Sequence, residues 1–95
     1  MPRCKKQRQC RCIGGDRIYK PVGIKLNQIE IMEIEIDEFE AMRLCDLETL
    51  SQIEAADMMH ISRGTIQRLL ESGRKKIIKT FLDNAALRIN NKKEL

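Results

Sequence analysis

Ninety-five residues amount to one domain with one modest core, and with 3% aromatic residues and no Trp that core must come from Ile, Leu, Met and Ala. No apolar run approaches the roughly 20 residues that cross a bilayer, and the charged N-terminus lacks the apolar stretch of a secretory signal, so a cytoplasmic protein without membrane association is expected. The net charge of +4 is unevenly spread: residues 1–25 hold eight cations against Asp16, residues 26–59 hold ten acids against Arg43, and residues 60–95 are basic again. Two basic ends around an acidic middle suit a polyanion docked on one surface.

In chain order, residues 1–16 read as a basic, Cys-containing arm ending in Gly14-Gly15, and residues 17–90 as a single domain. Within that domain, residues 17–29 carry Pro21 and Gly23 and predict an irregular segment. Residues 29–36 place Ile29, Ile31, Ile34 and Ile36 among Glu residues, and the last part alternates at period two, which predicts a short strand near 31–36. Asp37, with Glu40 three residues on, then has the spacing of a capping box. The helix it opens would place Phe39, Met42, Leu44, Cys45 and Leu47 on its apolar stripe and end near Leu47.

Ser51 and Glu54 form a second, full capping box, opening a helix that would bury Ile53, Ala56 and Met59. Ser62 is a third N-cap, with Thr65 at the third helical position. The long helix after it carries Ile66, Leu69, Leu70, Ile77, Ile78 and Phe81 as its stripe, with Asn84 as a stop. Residues 86–90 predict a second short strand, and residues 91–95 a frayed end. The fold class is therefore mainly α, a small helical domain with one or two short β-strands.

Helix starts at Ser51 and Ser62 leave room for a short helix and a tight turn, the geometry of a DNA-reading helix-turn-helix. Ala55 and Ala56 are small where such helices cross, Ile61 can plug the turn, and His60 stands where the turn favours Gly. The outward residues of the second helix, Arg63, Gly64, Thr65, Gln67 and Arg68, are the base-reading candidates. Arg can bind guanine bidentately and Gln adenine, while Gly64 removes bulk where the helix meets the groove. Phosphate candidates are Ser51, Gln52 and Ser62 at the helix starts, and Arg74, Lys75, Lys76 and Lys79 further along.

These stretches carry a family resemblance. Tyr19-Lys20-Pro21-Val22-Gly23, the run from Asp37 to Glu48, the run from Ser51 to Lys76, and Ala86 to Ile89 resemble a prokaryotic family of predicted DNA-binding proteins, domain of unknown function 134. Its helix-turn-helix is similar to region four of sigma factors. The resemblance implies a DNA-binding regulator. Thr49 and Asn84 stand where the family usually carries Gly.

Cys4, Cys10 and Cys12 form C-x5-C-x-C in the arm. Two readings stay open: solvated thiols on a basic arm, or a metal site holding zinc or an iron–sulfur centre, for which three ligands fall one short of a closed tetrahedral set. No cofactor is expected of the helical domain. Sequence-specific binding of double-stranded DNA, as a transcriptional regulator, is the leading expectation, with a homodimer on an inverted repeat. The alternative is a metal- or redox-responsive module whose helix-turn-helix frame serves protein contacts. An enzyme is not expected: one His, one Tyr and no recognisable nucleophile–base pair leave little catalytic material.

Overall fold

The computed structural model describes residues 17–90. The arm with Cys4, Cys10 and Cys12, and the end expected to fray at residues 91–95, lie outside them. Strand β1 (Ile18–Tyr19) is followed by a single 3-10 turn at Leu26–Gln28 and by strand β2 (Ile31–Glu35). Helix α1 (Ile36–Met42) runs into a π-turn (Arg43–Leu47), then come α2 (Gln52–Met59), α3 (Arg63–Leu82) and β3 (Ala86–Asn90). The fold is mainly helical with short strands, as expected, and α2, its turn and α3 have the helix-turn-helix arrangement.

The strands form one sheet in the order β1-β3-β2. β3 lies in the middle, antiparallel to β1 and parallel to β2, with Ile34 opposite Ile89 and Glu33 opposite Arg88. Arg88 donates to the Glu33 carboxylate at 2.7 Å, so that register carries a cross-strand ion pair. β1 falls inside the segment read as irregular. Two residues beside Pro21 and Gly23 are too short for an alternating pattern, and only β3 makes them a strand.

The sheet and helices share a core of Ile34, Ala41, Met42, Leu44, Ala55, Ala56, Ile66 and Leu70. Gly73 allows α1 and α3 to approach: a Cβ there would lie 2.7 Å from Met42 Cε and 3.3 Å from Glu38 Cβ. Beneath this contact Glu38 is buried, accepting from Lys76 Nζ at 2.9 and 3.1 Å and from the Ser72 hydroxyl. Glu40, also buried, takes two hydrogen bonds from Arg43 at 2.6 and 3.0 Å.

Several sequence expectations need correction. The N-cap of α1 is Glu35, not Asp37, and the residue reaching back is Glu38, whose Oε1 accepts from the Glu35 N–H at 3.0 Å. Glu40 does not cap because it turns inward to Arg43. Leu47, Ile53, Ile78 and Phe81 are exposed rather than buried. In α2 the buried arc is narrow, centred on Ala55, Ala56 and Met59, and Ile53 sits about a third of a turn away from it. At the end of α3 the inner place belongs to Thr80, whose hydroxyl donates to Lys76 O at 2.8 Å.

Candidate nucleic-acid interface

The α2–α3 turn is built from caps that the sequence supplies. Ser51 Oγ accepts from the Glu54 N–H at 3.0 Å, and Glu54 Oε1 accepts from the Ser51 N–H at 2.8 Å, closing the predicted capping box. At the other end of α2, His60 adopts φ 61 and ψ 43. The Ile61 N–H reaches Ala56 O at 3.0 Å and the His60 N–H reaches Asp57 O at 3.2 Å, the two bonds of a Schellman stop. His thus holds the left-handed place that Gly would fill more cheaply. Ser62 then caps α3 by accepting from the Thr65 N–H at 3.1 Å. Ala55 and Ala56 are buried where the two helices meet, and half-buried Ile61 packs against the same core.

The first two turns of α3 bury Ile66 and Leu70 and turn their other face outward. Arg63, Gly64, Gln67 and Arg68 are exposed, and Thr65 is half-buried. Thr65 Oγ1 lies 2.9 Å from Ser62 Oγ and accepts a long hydrogen bond from Arg68 at 3.5 Å. Ser62, Thr65 and Arg68 therefore form a short polar line along one flank. Gly64 has no internal reason to be Gly. Its φ is not positive, and an added Cβ would meet nothing nearer than Arg68 Nη1 and Ser62 Oγ, each at 4.0 Å.

The phosphate candidates divide by what already holds them. Ser51 is exposed and Gln52 half-buried at the start of α2. Arg74 makes a two-pronged bond to Asp46 on the π-turn, at 2.7 and 3.2 Å. Lys76 is turned inward to Glu38. Lys79 pairs with Asp83 at 2.8 Å, one helical turn on, and that hydrogen bond raises its pKa. Lys75 is exposed, with no ion-pair partner among the described residues. The clamp of Arg74 by Asp46 and the inward turn of Lys76 were not legible in the sequence, because their partners lie 28 and 38 residues away.

Among the described residues no cluster of three His, Cys, Asp or Glu side chains could hold a metal. Cys45 is a half-buried thiol whose pKa is raised, first by burial and then by the neighbouring Asp46 charge. No helix among the described residues is long and apolar enough to cross a membrane.

A family model described as "Protein of unknown function DUF134" matches residues 1–93. The chain belongs to this family. Among its relatives, the UPF0251 protein of Shewanella baltica is 43% identical over 94 residues, covering 99% of this chain and 96% of that protein. A UPF0251 protein of Caldanaerobacter subterraneus is 43% identical over 89 residues, covering 94% of this chain and 75% of its own. One from Dehalococcoides mccartyi is 46% identical over 89 residues, covering 94% and 76%. No solved structure matches this DUF134 chain significantly.

Proposed function

We propose that this DUF134 protein binds double-stranded DNA sequence-specifically, with the first two turns of α3 in the major groove, and acts in transcriptional regulation rather than catalysis. The observation that carries the reading is Gly64. Glycine in a helix interior costs about 1 kcal/mol against Ala, and less in the first turn, where Gly64 stands. Gly73 repays that cost by letting α1 approach, whereas the space above Gly64 is open. A residue kept small toward open space, between Arg63 and the Gln67-Arg68 pair, is what a close external surface requires. Arg and Gln are the side chains that read guanine and adenine edges. The free N–H groups at the starts of α2 and α3, with exposed Lys75, suit flanking phosphates.

The test is Gly64→Ala. Thermal melting should stay level or rise, because α3 gains a better helix former. Affinity for a duplex selected from genomic fragments should fall at least tenfold, because the added methyl stands between helix and groove. Undiminished affinity, or no duplex binding by the unaltered protein at low salt, overturns the reading.

A further inference from the structure

The C-terminal half of α3 borders an open groove of about 1000 Å³ that the DNA reading does not use. Its floor is Ile34 and Ile89, and Tyr19, Leu47 and Phe81 stand at its rim. These three rim side chains are 54%, 70% and 72% exposed. Large apolar side chains left in water beside an apolar concavity are unusual for a chain that stays alone.

We propose that a second copy of this chain occupies the groove, each protomer's Phe81 and Leu47 entering the groove of the other. Projecting side chains and the hollow to receive them lie on one patch, which is what two-fold pairing of identical surfaces demands. The area is of the right order. Tyr19, Leu47 and Phe81 keep on the order of 400 Å² of side chain in water at those exposures. A standard interface takes roughly 800 Å² per partner, so the surface flanking the groove has to supply the remainder.

The position on α3 also fits. Phe81 follows Gln67 by 14 residues, about 21 Å along the helix at roughly 1.5 Å per residue. A two-fold axis passing at Phe81 itself would set the two Gln67 positions at most about 42 Å apart. Inclining the helices brings them toward the roughly 34 Å between successive major-groove half-sites. The spacing argument rests on the DNA reading; the pairing does not.

Sedimentation equilibrium of the full chain, under reducing conditions and without DNA, is the test. The expected mass is twice 11.1 kDa. Phe81→Glu should sediment as a monomer with unchanged far-ultraviolet circular dichroism, and Leu47→Glu, at an equally exposed site, provides a second variant. A monomeric unaltered protein at micromolar concentration overturns the proposal and leaves the groove to residues 1–16 or to a small apolar ligand. A dimer untouched by both variants overturns it too. A dimer sensitive to both that binds no DNA sustains this inference and removes the DNA reading alone.

Discussion

Glu38 on α1 holds Lys76 on α3 through both carboxylate oxygens, at 2.9 and 3.1 Å, beneath the contact that Gly73 permits. Burial by itself would raise the Glu38 pKa. The Ser72 hydroxyl, Lys76 and the Glu35 N–H all bond the ionised form, the Lys76 charge adds to them, and together they bring it below the ordinary glutamate value. A lowered folded-state pKa means stability that is fully present above the unfolded value of about 4.3 and is lost as pH falls through the lower folded value. Glu38→Gln should therefore lose stability at pH 7 and show a shallower acid limb below about pH 4.5. Urea unfolding midpoints between neutral and acid pH check both. Lys76→Met, which leaves the buried carboxylate without its counter-ion, should cost about 2 kcal/mol at neutral pH.

Gly73→Ala should behave oppositely to the same change at Gly64. A methyl there meets Met42 Cε at 2.7 Å and Glu38 Cβ at 3.3 Å, and only the first can move aside. Overpacking of about 1–3 kcal/mol, less about 1 kcal/mol of helix propensity, leaves a net loss near 1 kcal/mol. Combining it with Met42→Ala should cost less than the sum of the two single changes. Additive losses in chemical denaturation would show that the two sites do not touch.

Among the described residues, three non-glycine residues hold left-handed backbone: Thr49 at φ 60, His60 at φ 61 and Asn84 at φ 53. Thr is β-branched and fits this region worst, whereas Asn and His tolerate it. Thr49→Gly should raise stability by about 0.5–1 kcal/mol, while His60→Gly and Asn84→Gly should change it by a few tenths. Thermal melts of the three variants rank them directly.

For DNA, Gln67→Ala and Arg68→Ala should each cost about 1–3 kcal/mol on the selected site, and Gln67→Ala should cost little on scrambled duplex. Lys75→Ala should weaken both duplexes alike and flatten the salt dependence. Each phosphate that a cation neutralises adds roughly −0.9 to the slope of log affinity against log salt. Fluorescence anisotropy on both duplexes at fixed salt, then across a salt series, separates the outcomes. Equal losses on both duplexes for Gln67→Ala would mean that α3 does not read sequence.

What the sequence made legible was local. Ser51-Glu54 and Ser62 announce the two helix starts because capping acts within three residues, and the spacing between them announces the turn, with His60 holding the place that favours Gly. What it hid was whatever depends on distant neighbours. Glu35 rather than Asp37 caps α1 because Glu40 is already committed to Arg43. β1 is a strand only beside β3, some 70 residues later in the chain. Phe81 and Leu47 match a helical stripe by spacing yet point into an open groove, because periodicity identifies an apolar face and not what covers it.

The central strand of the sheet is also its last in sequence. β1 and β2 touch only β3, never each other, so neither can pair until residues 86–90 have been synthesised. A nascent chain therefore carries its helices first, with the Ile-rich edge of β2 unprotected in the meantime. A chain cut short before residue 86 would lose all three strands together, leaving α3 held by its contacts with α1, the π-turn and α2 alone.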